Sequence, residues 1–436
     1  MKAPYIKSLT VYTTHPWDDA LPILRVTGPA EMVGVEIIHG NDLDDIYIDK
    51  ATQGDAIIIQ RDFPRHTKAF SDIVTSAQQA GKPLIYELDD LLTDIPDEHP
   101  DRPINYYTSS VVPILQAIIR ADLVTVTTEP LAEYIRPYNS NVVVLPNMLV
   151  DSIWKMHSPA QPREDGVVVI GYMGSTTHTA DLESIAGVIA YLARLYGERI
   201  RFHFWGIPPP DELRILPNVQ FFNIPIMNYS DYATYALQQS CDIFLAPLTD
   251  NHFNRCKSGI KFLEYTAIGA TGVYSRLEPY STLVEDGKTA LLASTNNEWI
   301  SNICRLVDDV SLRKTMAINA QQAVRSKWLL SNNADRWKTV WESVTPNWDE
   351  DSPRAFLLKV IRQTAYWQEQ TDVHKIHTLE EALAQKARSL QKLEDYLSDL
   401  YRSKAWKLVR FLWEITKIFK HLRQSNNLQK QNISDN

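Results

Sequence analysis

Short runs of apolar residues alternate with segments of helical length along most of the chain. In the first part of the chain the apolar runs lie at 55–62, 82–90, 121–128 and 140–147. Continuous apolar runs of this length are typical of strands buried on both faces, as in a parallel sheet. The segments 66–81 and 109–121 between them predict helices, the first of which ends at Gly81 as helices often do. This alternation predicts βαβ units and a doubly wound sheet.

The same pattern begins again after a polar segment, 151–166, that contains two prolines and is typical of a linker. Strands are predicted at 167–174, 199–206, 219–225, 241–248 and 270–275, and helices at 181–197, 229–240 and 257–269. The chain is therefore predicted to be an α/β protein with two doubly wound, Rossmann-like domains, at 1–160 and 161–350. Two such domains form a cleft between them, and sheets of this kind bind ligands beyond the carboxyl ends of their strands.

The remaining residues, 351–436, predict a helical extension. Its leucines at 383, 390, 397 and at 393, 400 repeat with a heptad spacing, but over too few heptads to assign a coiled coil. The segment 401–423 has seven basic residues and one acidic residue among aromatic and aliphatic ones. This composition predicts a basic amphipathic helix that binds an anionic membrane surface. The alternative is a helix that packs on the body of the protein, and the final residues are expected to be disordered.

Composition and charge exclude several classes of protein. The net charge is −9, and because residues 351–436 contain 15 Lys and Arg against 10 Asp and Glu, the first 350 residues carry −14. A body this acidic is a poor nucleic-acid binder. The three cysteines lack CxxC spacing, which argues against a disulfide framework and a zinc motif. No apolar run reaches the ~18 residues of a membrane span, and the first residues lack the apolar core of a signal peptide, so we expect a cytoplasmic protein.

The segment 246–275 is the richest in candidate chemistry. Lys257, Lys261 and Glu264 are spaced i, i+4 and i+7, which places them on one side of the predicted helix 257–269. A helix N-terminus favours an anion, and two lysines added to it would suit a diphosphate. Glu264 lies about 10 Å further along the axis, where a carboxylate could accept hydrogen bonds from both hydroxyls of a ribose. The alternative is a Lys261–Glu264 pair on the surface with no further role.

The segment CDIFLAPLTDNHFNRCKSGIKFLEYTAIGATGVYS (241–275) resembles the donor-site signature of family 4 glycosyltransferases, which have the GT-B fold. The resemblance implies that Glu264 holds the nucleotide ribose and that Lys257 and Lys261 hold the diphosphate and stabilise it as it leaves. Many members have a second Glu eight positions earlier that contacts the sugar. Here that position is Cys256, so this role is not carried over.

A second element, GYMGSTTHTADL (171–182), resembles the first loop of the family's C-terminal domain. Small residues after a strand let the backbone approach a phosphate, and the resemblance assigns Gly174, Ser175 and His178 to donor binding. The commoner form of this loop carries an Arg and a Lys, and both are missing here. Without the family context, the segment predicts an ordinary strand and turn followed by a helix that Thr179 or Asp181 caps. It does not match the GxGxxG dinucleotide fingerprint.

In the N-terminal half, Asp89 and Asp90 follow a predicted strand on the cleft side. The resemblance places them near the acceptor, and Asp90 is our candidate catalytic carboxylate. The sequence DLDD (42–45) looks like the Asp-x-Asp metal motif of a different class of transferase, but short acidic clusters are usually solvated, and we expect no metal site. Arg25 and Arg61 either face the cleft or form structural ion pairs.

The resemblance covers residues 20–345 in several ordered blocks. It implies a retaining, metal-independent transfer of a sugar from a nucleotide-sugar donor to a glycan or lipid-linked acceptor, with no cofactor. The tail resembles the C-terminal extensions of bacterial polysaccharide-assembly transferases, which implies a peripheral position on the inner face of the plasma membrane. Two alternatives remain, a nucleotide-sugar epimerase of the same fold and a non-catalytic nucleotide- or sugar-binding assembly protein.

Overall fold

The computed structural model describes residues 5–42, 45–225 and 227–402. Apart from its first two residues, the predicted basic helix 401–423 lies outside the described residues, as do the final residues of the chain. Within the described part, no helix is long and apolar enough to cross a bilayer.

Two parallel six-stranded sheets form the body of the protein, which confirms the predicted pair of doubly wound domains. The first sheet consists of β1 (Ser8–Tyr12), β2 (Glu36–His39), β3 (Ala56–Gln60), β4 (Leu84–Leu88), β5 (Leu123–Val126) and β6 (Val142–Val144). The second sheet consists of β7 (Val168–Met173), β8 (Ile200–Trp205), β9 (Val219–Phe222), β10 (Ile243–Ala246), β11 (Thr271–Ser275) and β12 (Leu291–Ala293). The order is β2-β1-β3-β4-β5-β6 in the first sheet and β12-β11-β10-β7-β8-β9 in the second.

Helices connect the strands on both faces of each sheet. Those of the first part are α1 (Ala20–Pro22), α2 (Gly28–Val33), α3 (Thr67–Gln79), α4 (Val111–Arg120) and α5 (Glu129–Ile135). Those of the second part are α6 (Thr179–Glu183), α7 (Ala186–Tyr196), α8 (Asp211–Arg214), α9 (Tyr229–Leu237), α10 (His252–Arg255), α11 (Ile260–Ile268), α12 (Tyr280–Leu283), α13 (Asn296–Asp308) and α14 (Val310–Lys327). Two further helices follow, α15 (Asp335–Ser343) and α16 (Pro353–Arg402).

Each strand order has a switch point at which neighbouring connections leave in opposite directions along the sheet. In the second sheet this point lies between β7 and β10, which are paired in parallel, and in the first sheet it lies between β1 and β3. Ligands of open α/β sheets bind in the crevice outside the carboxyl ends of the strands at such points. Ligand-binding residues are therefore expected in the segments that follow β7 and β10, and in those that follow β1 and β3.

Apolar packing joins the two sheets into one body. The largest buried cluster contains side chains from both halves, among them Leu149, Trp205 and Trp337. Helix α15 follows the second sheet in sequence but packs against α2 of the first part, where the Trp337 indole N–H donates to the carbonyl of Arg25 over 3.1 Å. The N-terminal end of α16 is also anchored, because Ala355 and Leu358 are buried.

Candidate functional site

A cavity of about 210 Å³ lies where the carboxyl ends of the two sheets face each other. Its lining includes four residues that the sequence singles out, Asp90, His178, Lys257 and Lys261. Asp90 follows β4 of the first sheet, His178 follows β7 and the two lysines follow β10. The structure thus brings together residues from three separate segments of the chain at one point of the cleft. Glu264, Gly174 and Ser175 are not part of this lining.

The approach to α11 differs from the helix predicted at 257–269. The helix begins at Ile260, with Gly259 as its N-cap, so Lys257 lies in the turn before it rather than on its first turn. A Cβ at position 259 would overlap the terminal methyl of Leu283, so a larger residue here would require that half-buried side chain to move. The break lets Lys257 leave the line of the helix and extend its ammonium to 3.6 Å from the Asp90 carboxylate.

Lys261 and Glu264 lie one turn apart on α11, where Glu264 is buried and Lys261 is half-buried. Burial lowers the pKa of Lys261 to about 8, with the neighbouring Lys257 acting in the same direction. Burial also raises the pKa of Glu264 to about 7, although Lys261 and a hydrogen bond from Tyr229 oppose this shift. Both groups are therefore poised near neutral pH. A ligand that supplies an anion to Lys261 and hydroxyl donors to Glu264 would favour the charged form of each.

Aromatic side chains fix the Glu264 carboxylate. The Tyr229 hydroxyl donates to Glu264 Oε1 over 3.4 Å, and the Trp154 indole N–H donates in turn to the Tyr229 oxygen over 2.9 Å. Trp154 comes from the segment that links the two sheets, and Tyr229 begins α9. Neither residue is recognisable from the sequence as part of a site, because both contacts are distant along the chain.

The loop after β7 is held to the loop after β10 by Asp181. Its Oδ2 lies 2.9 Å from His178 Nδ1, and its Oδ1 accepts hydrogen bonds of 2.8 Å from the Thr249 amide and from the Asn254 side chain. The sequence suggests for Asp181 only a role as a helix cap, so this central role is a feature that sequence reasoning misses. The one sequence signal for this role is the spacing, because Asp181 follows His178 by three residues.

His178 is neutral near pH 7. Burial lowers its pKa to about 4, and Lys261 adds to this effect, although Asp181 opposes it. Because Nδ1 faces a carboxylate, the ring hydrogen is assigned to Nδ1, which leaves Nε2 as the other ring nitrogen able to bind a ligand. An anion bound beside His178 would favour its protonated form.

Gly174 and Ser175 lie at the start of the loop after β7. The Gly174 amide donates to the carbonyl of Trp205 over 3.1 Å, and Ser175 and Thr177 share a hydrogen bond of 2.6 Å on the exposed turn. These two residues therefore border the second sheet's switch point without reaching the cavity that His178 lines.

Asp89 and Asp90 have different partners. Arg61 donates through Nη1 to both oxygens of Asp89 at 2.7 Å, and it lies 3.9 Å from Asp90. Burial alone would raise the pKa of Asp90, but Lys257 and Arg61 hold it below its usual value. The Asp90 carboxylate therefore has a cationic neighbour in each half of the cleft, Arg61 in the first and Lys257 in the second. Arg61 has a left-handed backbone, with φ of 51°, a strained conformation that often marks a functional position.

Arg25 combines the two roles that the sequence leaves open. Its Nε donates to Glu87 over 2.7 Å in a fully buried ion pair, and its Nη1 donates to the Asn147 side chain over 2.9 Å. It also lines the cavity. Since a buried ion pair of this kind is costly to break, Arg25 anchors the cleft wall.

Cys256 is fully buried in an apolar cluster that includes Phe253 and Leu91. Burial raises the pKa of its thiol to about 12, so the sulfur stays protonated. Its carbonyl accepts a hydrogen bond of 2.7 Å from the Thr128 hydroxyl of the first half. The side chain at this position packs the junction between the halves and lies outside the cavity lining.

A second cavity, of about 670 Å³, lies at the switch point of the first sheet. Its lining includes Trp17, Asp18, Arg65 and Tyr106. The Trp17 ring stacks on His39 with the centroids 3.8 Å apart, and the Arg65 guanidinium lies 4.4 Å from the centre of the Tyr106 ring. Aromatic surfaces beside carboxylates suit a polar molecule with apolar faces. In the described ranges no three His, Cys, Asp or Glu side chains are grouped as a metal site requires.

The sequence and the fold are similar to those of known proteins. A family model described as "Glycosyl transferase-like" matches residues 188–339. No curated protein matches the sequence. Among solved structures, Anabaena Alr3699/HepE in complex with UDP and glucose superposes with a TM-score of 0.52 at 15% identity, over 78% of this chain and 100% of that one.

Two further structures are similar. Sucrose-phosphate synthase from Thermosynechococcus elongatus has a TM-score of 0.55 and 11% identity, over 77% of this chain and 98% of that one. TarM has a TM-score of 0.50 and 14% identity, over 69% of this chain, and this chain spans only 59% of TarM. The predicted fold of two facing Rossmann-like domains is thereby confirmed. The shared architecture shows that the chain has the GT-B fold, and the similarity to the glycosyl transferase-like family model covers residues 188–339.

Proposed function

We propose that the protein transfers a sugar from a nucleotide-sugar donor to a glycan or lipid-linked acceptor. The convergence of Lys257, Lys261, His178 and Asp90 on one cavity between the two sheets is the observation that carries this proposal. Two lysine ammonium groups and the N-terminus of α11 form a site suited to a diphosphate, and an anion bound there would favour the protonated form of His178.

The donor is oriented by groups on α11 and on the turn before it. Lys257 and Lys261 would bind the diphosphate, and Glu264 would accept hydrogen bonds from the ribose hydroxyls. The solved HepE structures contain UDP with glucose or UDP-glucose, which makes UDP the first nucleotide to test. The backbone around Gly174 and Ser175 would border the nucleotide at the switch point of the second sheet.

The reaction breaks the bond between the anomeric carbon and the diphosphate, whose oxygen keeps the electron pair. Lys257, Lys261 and a protonated His178 would stabilise the charge that develops on this oxygen. The acceptor hydroxyl oxygen forms the new bond to the anomeric carbon, and its proton passes to the leaving diphosphate. We propose that the anomeric configuration is retained and that no metal takes part.

Asp90 would act at the boundary between donor and acceptor. Its carboxylate lies 3.6 Å from the Lys257 ammonium, so it is next to the position proposed for the leaving group. When the diphosphate takes Lys257 as a partner, Asp90 is freed to orient the acceptor hydroxyl. The second cavity, beside Trp17 and Tyr106, is the proposed acceptor side of the cleft.

We further propose that the protein acts in the synthesis of a cell-surface polysaccharide, from the cytoplasm, at the inner face of the plasma membrane. The resemblance of the tail to polysaccharide-assembly transferases and the basic composition of 401–423 support this placement. Partition with anionic vesicles is expected to be lost when 401–436 is deleted, and unchanged partition would contradict the membrane contact.

Turnover separates this function from its two alternatives. The protein is incubated with UDP-glucose and related donors plus a mixed extract of lipid-linked and free glycans, and released nucleoside diphosphate is measured. A transferase releases it only when both donor and acceptor are present, and Asp90→Ala should abolish the release. A binding protein would release none, and an epimerase would convert the donor sugar without an acceptor.

A further inference from the structure

Helix α16 carries an apolar stripe that is exposed to solvent. From Tyr366 to Asp399 every side chain is exposed. The stripe consists of Ile376, Leu379, Leu383, Leu390, Leu393 and Leu397, whose exposed fractions run from 38% to 73%. Long helices in water gain most of their stability by burying one face against a partner. This stretch therefore requires a partner that covers the stripe.

The spacing of the stripe defines the geometry of that partner. The apolar positions follow one another at intervals of three and four residues from Ile376 onward, and Leu400 continues the series in the sequence. Only Lys386 interrupts it. A repeat of 3.5 residues keeps a narrow stripe on one side of a helix and produces the seam of a left-handed coiled coil. Over residues 376–400 it spans more than three heptads, which is enough to support a coiled coil.

The charges beside the seam match those of the same helix in a second copy. In a parallel, in-register pair, Lys375 of one helix faces Glu380 of the other, and the arrangement occurs twice. In an antiparallel pair with full overlap, Glu380 would instead face Glu394, and the two carboxylates would repel. Residues 372–400 hold six acidic and four basic side chains, so this stretch does not favour an anionic membrane.

We propose that two copies of the chain associate through a parallel, two-stranded coiled coil over residues 376–400. The apolar seam supplies the contact, and Lys375 and Glu380 set the orientation. Lys386 of each helix lies opposite its counterpart, which weakens the pair but penalises any shifted register. This inference is independent of the proposed function, because it is argued from residues 375–400 and from none of the residues assigned to donor or acceptor binding.

The first test is the mass of the full-length chain by light scattering after size-exclusion chromatography, across a range of concentrations up to about 50 µM. The expected mass is twice the monomer mass of 49.9 kDa. Leu390→Asp should weaken the dimer by about 100-fold or more, because it places a charge in the seam. The matched control Gln391→Asp adds the same charge on the outer face and should leave the dimer intact.

A third variant tests the register directly. Lys386→Leu replaces the two lysines that lie opposite each other in the seam. This change is expected to tighten the dimer by about tenfold or more. Each variant is checked for an unchanged melting temperature of the body, which shows that only association has changed. A monomer at every concentration, a dimer that Leu390→Asp leaves intact, or a higher oligomer would each overturn the proposal, and a monomer that binds vesicles through this stretch would assign the stripe to a membrane.

Orientation is tested by cross-linking with copper phenanthroline as the oxidant. In a parallel pair the two copies of position 383 face each other, so Leu383→Cys should give a covalent dimer in high yield. The outer-face control Ala384→Cys and the native chain, whose Cys241 and Cys256 are buried and whose Cys304 is half-buried, should give little. Absence of a covalent dimer with Leu383→Cys in a protein that is dimeric would overturn the parallel arrangement.

Discussion

At the scale of single residues, the Lys261–Glu264 pair links the site to pH. Burial lowers the pKa of Lys261 to about 8, so its positive charge is lost above that pH. Burial raises the pKa of Glu264 to about 7, so its negative charge is lost below that pH. Both residues are mostly charged only between these values, and a nucleoside diphosphate needs both charges.

We therefore predict that affinity for a nucleoside diphosphate is greatest between about pH 7 and 8 and falls on either side. Calorimetric titrations with UDP at about pH 6, 7.5 and 9 measure this profile. Lys261→Arg should remove the alkaline fall, because a guanidinium stays charged. Glu264→Gln should reduce the fall in affinity below about pH 7. The fall that remains should be the part caused by protonation of the nucleotide's own phosphate. An alkaline fall that persists in Lys261→Arg would contradict the assignment of Lys261.

Asp181 shows how far local sequence reasoning reaches. The sequence gives His178 and the loop around it through the family resemblance. It cannot give the contacts of Asp181 with Thr249 and Asn254, which join residues about seventy positions apart. Buried side-chain networks of this kind depend on which loops the fold brings together, and no local pattern encodes that.

We predict that Asp181→Asn lowers the free energy of unfolding by about 1–3 kcal/mol, because a buried carboxylate with four hydrogen-bonding partners is lost. It should also raise the apparent KM for the donor, because His178 loses its orientation. Thermal unfolding and donor kinetics measure the two effects. Asp211→Asn, at a carboxylate that is 91% exposed, is the matched control and should change neither. A rise in KM equal in both variants would contradict the role given to Asp181.

At the scale of elements, the strands were the most predictable part of the structure. Runs such as 55–62 and 121–128 became β3 and β5 because a strand buried on both faces must be apolar throughout. The sequence interpretation missed β1, β2 and β12, and β2 is a half-exposed edge strand with little apolar signal. The predicted helix 257–269 was wrong at its start, because Gly259 ends the turn that holds Lys257.

We predict that Gly259→Ala destabilises the fold by about 1–3 kcal/mol, because the added methyl group overlaps Leu283 and displaces the start of α11. Nucleotide affinity should fall with it. Gly187→Ala is the control, since Gly187 lies in α7 with open space around it, and the change should stabilise by about 0.5–1 kcal/mol. Chemical unfolding measures both, and a harmless Gly259→Ala would contradict this account of the turn.

At the scale of the whole molecule, the two halves meet through polar contacts at the cleft as well as through the apolar core. Asp90 and Lys257 form an ion pair across the cleft, and Thr128 donates to the carbonyl of Cys256. The sequence predicted two domains and a cleft, but not which charges would oppose each other. That depends on the relative placement of the two sheets, which is set by packing at distant positions such as Trp337.

The Asp90–Lys257 pair leads to a prediction that separates binding from turnover. Asp90→Asn removes a carboxylate that competes with the diphosphate for Lys257, so nucleotide affinity should rise by about tenfold. The transfer rate should fall, because the acceptor hydroxyl loses its orienting group. Titration and single-turnover kinetics measure the two. Weaker nucleotide binding with an unchanged transfer rate would contradict both expectations and the proposed role of Asp90 in orienting the acceptor.

The central claim is that α11 and the loops around it form a nucleotide-sugar donor site. Calorimetric titration of the full chain with UDP, GDP, ADP and dTDP tests it most directly, with Glu264→Gln and the exposed control Glu285→Gln in parallel. We predict that one nucleotide binds at micromolar concentration, that Glu264→Gln weakens it by about 10–100-fold, and that Glu285→Gln does not. Absence of binding by all four nucleotides, or equal binding by the two variants, would contradict the claim.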